Sequence, residues 1–474
     1  MSNTVISPGS GRAPWPAAGS PPCVVHAGQL PAGAAQTSVA IVGAGACGLI
    51  AALMLRDAGI DCVLLERDAR AQGSTALSSG FIPAAGTATQ RAAGVLDDEP
   101  ARFAADIQRK AGGLAAAHLV AAYTETSAPA IDALQTRHGF PFELLDGFLY
   151  PGHTVRRMHA LPQRTGAALM SALDSAAERA GAMLVTNARV HELWSDDAQR
   201  VLGVGTVRPD GRVEYVACDA LLLACSGYGG NAAMVGAWLP EMRDAVFAGH
   251  KGNDGSAIAW GWDLGARLAD LGGYQGHGSW AIPHGGLITW ALMTEGGVQI
   301  NREGRRFHDE TRGYSEASVD VLAQPSGVAW NVFDDRLLAL GRTFPDFVAA
   351  EAAGAVRHAR NAEALATLIG CDVSVLRETL GVTRIMAPYH TVKVTGALFH
   401  TQGGLDIDAS CRVLRGDGTP FPNLLAAGGA ARGVSANAVW GYLSGNGLLS
   451  AVAGGFIAAR TIRRQLGAGR GAAP

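Results

Sequence analysis

An α/β fold, interrupted by a separate lobe and resumed near the end of the chain, is predicted by three features of this 474-residue sequence. First, residues 38–68 read SVAIVGAGACGLIAALMLRDAGIDCVLLERD. An apolar run (Val39, Ala40, Ile41, Val42) enters Gly43-x-Gly45-x-x-Gly48, a helical stretch follows, and a second apolar run, Cys62–Leu65, ends at Glu66. Second, strand-like and helical segments alternate downstream. Third, the pattern changes between Phe247 and Arg384, where five of the nine tryptophans (260, 262, 280, 290 and 330) fall, and the α/β alternation returns near Tyr389.

Taken along the chain, residues 1–36 are rich in Pro, Gly, Ala and Ser and lack a basic segment followed by an apolar one, so a flexible arm rather than a secretory signal is expected. In the fingerprint, Gly43 permits the tight strand-to-helix turn, Gly45 lets the backbone approach a pyrophosphate, and Gly48 lets the helix pack closely on the strand. The opening turn of that helix aims N–H groups and positive dipole at phosphate. Glu66, about 20 residues on, is placed to accept hydrogen bonds from an adenosine ribose. Gln72–Gly80 is a small-residue loop suited to phosphate or a flavin. Pro100–His138 carries apolar residues at helical spacing, and Thr165–Gly181 reads as a further helix before strands at 182–186 and 190–193. Ala220–Gly230 (ALLLACSGYGG) is a buried parallel strand running into a glycine turn. A strand at Asn423–Ala427, the turn Gly428-Gly429 and a helix over 445–464 close the chain. The expected organisation is an arm over 1–36, a dinucleotide-binding part over 37–246, an inserted lobe over 247–388, and a second dinucleotide-binding part over 389–474.

Composition narrows the classes. Charged residues make up 17% and hydrophobic ones 48%, as in a packed protein rather than a disordered one. A net charge of −3 draws the chain neither to nucleic acid nor to anionic lipid. The seven cysteines (23, 47, 62, 218, 225, 371 and 411) are scattered, with no CxxC pair and no CxxCH, so neither an iron–sulfur cluster nor a c-type haem is indicated. No apolar run reaches membrane-spanning length, and a cytoplasmic enzyme is expected.

The order of motifs resembles the flavoprotein family that contains fumarate reductases, succinate dehydrogenase flavoproteins and 3-ketosteroid dehydrogenases. The resemblance covers about Ser38 to Thr461 and is carried by VAIVGAGACG, LLLACSGYGGN, KGNDGSAIAWGWDLGARL, INREGRRFHDE, HTQGGLDID and LLAAGGAARG…YLSGNGLL. It implies a discontinuous, Rossmann-like FAD-binding domain with an inserted α+β capping domain, and a substrate held beneath the cap against the flavin. By the same resemblance, Gly43, Gly45, Gly48 and Glu66 would hold the ADP half, while Ser74, Thr75 and Gly80 would line the pyrophosphate and flavin. Val190 would meet the adenine through its backbone, Gly227, Asp254 and Gly428 would touch FAD, and Gly445, Asn446 and Leu448 would sit at the flavin N1/O2 edge. A helix N-terminus there would stabilise the negative charge of a reduced flavin. Two departures stand out: Gly429 replaces a family Glu, and no His occurs at 72–75, the region of covalent attachment, so the resemblance implies non-covalent FAD.

The substrate side differs from the fumarate reductases. Their proton-delivering Arg, four residues after the NREGRRFHDE-like motif, is Tyr314 here, and their second Arg, which clamps a carboxylate, is Tyr442. His400 matches the family His that contacts substrate carboxylate, and His277 matches another site His. Tyrosine at 314 and 442, with Tyr442-x-Ser444, is similar to the branch that introduces a Δ4 double bond into 3-keto-5α-steroids. Such chemistry needs a polarised ketone, a base for the α-proton and a hydride acceptor. A phenol with a reference pKa of about 10 is a poor base unless a cation or donor lowers it; Arg312 is the candidate. Ser444 or a Tyr hydroxyl would hydrogen-bond the ketone. The plain readings are that Tyr314 and Tyr442 pack, Ser444 caps the following helix, His400 is structural, Tyr389 and His390 pack at a domain crossing, and Arg302, Arg305 and Arg306 form a solvated turn.

The expected activity is therefore FAD-dependent oxidoreduction of a carbon–carbon bond next to a carbonyl, with dehydrogenation of a 3-ketosteroid-like or other cyclic ketone leading. An ene-reductase of an unsaturated carboxylate is the alternative, and a flavin-binding protein without catalysis a third. With no second dinucleotide fingerprint, electrons are expected to pass to an external quinone or carrier protein.

Overall fold

Val39–Val42 are buried without alternation, as expected of a strand covered on both faces. In the computed structural model, which describes residues 5–7 and 23–470, they end the strand Ala35–Val42. This strand lies inside a nine-stranded sheet among the described residues. The main path runs Cys23–His26, Arg189–Ser195, Val201–Val207, Val213–Leu223, Ala35–Val42, Cys62–Leu65, Met183–Val185. Ala35–Val42 is parallel to Cys62–Leu65 on one side and to Val213–Leu223 on the other. The strand Val213–Leu223 begins seven residues before the expected Ala220, and that early half pairs antiparallel with Val201–Val207. Its last residues, Leu221–Leu223, run parallel to Leu424–Ala426, which brings the end of the chain into the sheet.

Gly43 takes φ = 100°, and a Cβ there would stand 2.7 Å from the Ala224 carbonyl oxygen. A Cβ on Gly48 would lie 2.0 Å from Gly43 O, so the helix Ala46–Asp57 can seat on the strand only with glycine at 48. The closing helix Asn446–Arg470 approaches the same helix so nearly that a Cβ on Gly455 would fall 2.5 Å from Cys47 O.

Two expectations need correction. Cys23–His26, within the stretch read as a flexible arm, is a strand parallel to Arg189–Ser195, because its apolar residues continue that sheet edge. Val5–Ile6 pairs with Leu268–Ala269, while residues 1–4 and 8–22 of the arm lie outside the described residues. The tryptophan cluster also divides. The chain separates into two units, one comprising residues through Trp238, Gly249–Tyr274 and from His400 onward, the other Leu239–Ala248 and Gln275–Phe399. Trp260 and Trp262 lie on the helix Ser256–Asp263 of the first unit, where Trp260 is buried.

The second unit has its own apolar core, including Trp290, Trp330, Phe333, Leu337 and Phe347. Its sheet places Val328–Phe333 between Val298–Ile300 and the strand Tyr389–Thr401, antiparallel to each. Gln299 is fully buried there yet satisfied: its amide donates to Gly278 O (2.8 Å) and Asn331 Oδ1 (2.8 Å). Among the described residues no helix is long and apolar enough to cross a membrane.

Candidate functional site

In the first unit, Glu66 sits at the end of Cys62–Leu65, 6% exposed. Its Oε2 accepts from Ala44 N at 2.9 Å and its Oε1 from Asp68 N at 3.0 Å, so the carboxylate braces the glycine turn from within. Each oxygen retains a further lone pair for a hydroxyl. The fingerprint helix has no acidic residue in its first turn, and a Cβ on Gly45 would meet only Thr75 Oγ1, at 4.0 Å. Thr75 Oγ1 in turn accepts from Ala46 N at 3.4 Å. Positive dipole with open space beside it fits a diphosphate.

Ser74 and Asp254 meet through one loop. Ser74 Oγ accepts from Asn253 Nδ2 (2.8 Å) and His250 N (3.2 Å). Asp254 Oδ1 accepts from Ser256 N at 3.0 Å, and its Oδ2 pairs with Arg67 at 2.9 Å. Arg67, adjacent to Glu66 in sequence, was not singled out from sequence; its position directly after the acid was the available signal. Val190 is buried in Arg189–Ser195, which Ala188 N ties to Glu66 O at 2.8 Å. Gly80 abuts the Thr165 carbonyl, and Gly227 abuts the Thr401 hydroxyl. Beside Gly428, a Cβ on Gly429 would stand 2.9 Å from Ser226 Oγ, so Ser226 holds the space a side chain at 429 would enter first.

The closing turn gathers His400, Tyr442, Ser444 and Asn446. Asn446 Nδ2 donates to Ser435 Oγ (2.9 Å), Ser435 Oγ donates to Gln402 Oε1 (2.8 Å), and Gln402 Nε2 lies 3.2 Å from His400 Nδ1. The same Nδ1 lies 3.3 Å from the Thr401 carbonyl oxygen, so it faces a donor and an acceptor at nearly equal distance. Burial pushes the His400 imidazole down to about 4, which keeps it neutral at physiological pH. The Tyr442 ring stands edge-on to His400 at 5.6 Å, and Gly447 N lies 3.5 Å from its hydroxyl. Gly445 takes φ = 88°. Asn446 Oδ1 and Ser450 Oγ, four residues apart on one helical face, are buried without a partner among the described residues. These are acceptor atoms left for a ligand, next to Leu448, and they fit a heteroaromatic group at this turn. Of the links of this chain, Gln402 lies within HTQGGLDID, whereas Ser435 falls outside the motifs.

In the second unit, Tyr314 is the first residue of the helix Tyr314–Leu322. Its ring stacks on His277 (4.9 Å, 18° between planes), and Phe399 stacks on His277 as well (5.5 Å, 17°). Trp290 meets the same imidazole edge-on at 5.8 Å. His277 Nδ1 accepts from Ser279 N at 3.1 Å, and burial pushes this imidazole down to about 3. Tyr314 thus belongs to an aromatic stack about a neutral histidine. Arg312, expected to perturb it, is mostly exposed and reaches Asp320 at 3.8 Å. Arg306 is more than a solvated turn residue: its Nε donates to Oε1 of the buried Glu310 at 3.2 Å.

Four histidines, three of them buried (His153, His159 and His277) and His400 partly so, share one consequence. His153, His159 and His400 in the first unit are pushed down from 6.5 to about 4, and His277 in the second to about 3, with burial the main cause of each. Between pH 6.5 and 4 the unfolded chain therefore binds more protons than the folded one, and stability falls as pH falls. The urea midpoint is expected to drop steadily across that window; a midpoint flat from pH 6.5 to 4 contradicts neutral burial of these rings.

Parallel strands within a mixed sheet, with a glycine fingerprint among them and an acid at the next strand end, define a dinucleotide-binding protein. The chain belongs to the FAD binding domain family, which matches residues 38–448. It is 27% identical over 444 residues to the probable fumarate reductase Ifc3 of Shewanella frigidimarina (strain NCIMB 400), covering 89% of this chain and 74% of that protein. Its fold is similar to the open conformation of a flavocytochrome c3 fumarate reductase (TM-score 0.79, 25% identity, 92% of this chain and 79% of that one). It is also similar in fold to 3-ketosteroid-Δ4-(5α)-dehydrogenase from Rhodococcus jostii RHA1 (TM-score 0.72, 24% identity, 90% and 97%). The chain is accordingly an FAD-dependent oxidoreductase of the class acting on CH–CH groups.

Proposed function

We propose that this protein dehydrogenates the carbon–carbon bond beside the ketone of an uncharged ring substrate, a 3-ketosteroid or related cyclic ketone, using non-covalently held FAD. Bound FAD supplies hydride acceptance at N5. Gly43, Gly45, Gly48 and Glu66 hold its ADP half, Ser74, Thr75, Gly80, Val190, Gly227, Asp254 and Gly428 surround the rest, and Gly445, Asn446 and Leu448 meet its pyrimidine edge. Tyr314 removes the α-proton. Tyr442 or Ser444 donates to the ketone oxygen as charge builds there, and His400 orients that end of the substrate. Electrons then leave to an external quinone or carrier protein.

The observation that carries this reading is the uncharged pairing of His400 with Tyr442. A dicarboxylate needs guanidinium forks or protonated imidazole. An imidazole and a phenol set edge to ring at 5.6 Å, with no fixed cation between them, suit a ketone oxygen instead. The second reading, an ene-reductase of an unsaturated carboxylate, is favoured by the name of the Shewanella relative. An anaerobic screen separates them. Saturated 3-ketosteroids are expected to bleach the oxidised flavin, while fumarate and similar acids leave the reduced flavin unoxidised. Rapid reoxidation by an unsaturated acid, with no bleaching by ring ketones, makes the second reading correct.

A further inference from the structure

Beneath the closing turn lies a buried ionic cluster that none of the proposed roles uses. Arg157 is fully buried and donates from Nε and Nη2 to Asp98 (3.1 and 2.8 Å) and from Nη1 to Asp106 Oδ2 (2.6 Å). The same Nη1 lies 3.1 Å from His153 Nδ1. A guanidinium only donates, so His153 Nδ1 accepts and the ring carries its proton on Nε2. That N–H is 2.9 Å from the Ser444 carbonyl oxygen, the only hydrogen-bond role the tautomer leaves it. His153 is 6% exposed, and burial together with the Arg157 charge keeps it neutral.

The orientation of one peptide follows. Across a trans peptide the C=O and the next N–H point in opposite directions. With Ser444 C=O turned into the cluster, Gly445 N–H is turned away from it, on the side opposite His153. Gly445 is pinned as well: a Cβ there would lie 2.8 Å from Pro83. A carbonyl that accepts from a ring polarised by a cation makes its own peptide N–H a stronger donor, since linked hydrogen bonds strengthen one another in a low-dielectric interior.

We propose that His153 is a positioning residue for the flavin: it locks the Ser444–Gly445 peptide so that Gly445 N–H and the start of the closing helix face the pyrimidine edge and favour negative charge there. This rests on the reading that Gly445 and Asn446 meet that edge. The role concerns the electronics of the cofactor, not contact with substrate.

Sulfite is the probe, because its covalent addition to oxidised flavin leaves negative charge at the N1/O2 edge and is read by loss of the visible flavin absorbance. In His153→Leu the donor to Ser444 is lost, and sulfite affinity is expected to fall about tenfold, the equivalent of one hydrogen bond of about 1.4 kcal/mol. The flavin midpoint potential should fall in the same variant. His153→Gln, whose amide reaches as far as Nε2, should restore most of both, whereas the shorter His153→Asn should not. If His153→Leu fails to fold, the Gln and Asn pair alone decides: equal sulfite affinities in both, matching wild type, overturn the proposal. Wild-type protein that takes up no FAD overturns the reading beneath it and the proposal together. Normal FAD uptake with unchanged sulfite affinity in every variant overturns the proposal alone.

Discussion

Arg157→Leu is expected to destabilise the folded protein by about 3–5 kcal/mol, because breaking a buried ion pair leaves its partner charges uncompensated. The effect is large here since Arg157 serves two carboxylates, Asp98 and Asp106, whose side chains are at most 1% exposed. The guanidinium also stands 4.5 Å over the Phe103 ring, and leucine recovers only part of that contact. Asp106 keeps Thr154 N at 2.9 Å and the Arg109 cation, whereas Asp98 keeps only the neutral Gln90 amide at 2.7 Å, so Asp98 bears most of the loss. Chemical denaturation of the purified variant reads the change. Replacing Arg157, Asp98 and Asp106 together by apolar residues of similar volume should return much of the stability, as buried ionic clusters are often no better than well-packed apolar ones. A loss below about 1 kcal/mol in the single variant would mean the carboxylates find solvent or other donors.

Tyr314→Phe is expected to slow reduction of the flavin by a ketone substrate by about 10²–10⁴-fold, the usual range for a positioned acid–base group. Phenylalanine preserves the ring that stacks on His277 at 4.9 Å, so folding and the aromatic cluster should be retained. The loss belongs in the rate of the reductive half-reaction rather than in substrate affinity, because the proton is transferred only in the transition state. Stopped-flow reduction under anaerobic conditions measures it. An unchanged rate removes Tyr314 from the chemistry and leaves it as a packing residue of the second unit.

Local features were readable in the sequence because their causes are local. Gly43 is demanded by the positive φ of its own turn, Gly48 by the approach of its helix to Gly43 O, and Glu66 by its place at the end of the adjacent strand. The helical spacing over Pro100–His138 is observed as two helices, Pro100–Lys110 and Ala117–His138, and that over Thr165–Gly181 as Gly166–Arg179. Composition marks the surroundings of Cys23–His26 as a linker, whereas pairing with a sheet edge decides a short strand. Trp260 and Trp262 fall within the tryptophan-rich stretch of the chain yet in the first unit, because composition along the chain does not register that residues 249–274 return to it.

The sequence by itself determined the cofactor class: phosphate binding by a glycine turn and a helix N-terminus is a property of contiguous backbone, written into residues 38–68. It also places tyrosine at 314 and 442. Only the tertiary structure decided what surrounds those residues. The chain from Asn446 through Ser435 and Gln402 to His400, the His277 stack, and the contact between His153 and Ser444 across 291 residues of sequence are non-local. Tautomer, charge state and peptide orientation depend on burial and on partners brought together by folding, and no spacing along the chain encodes them.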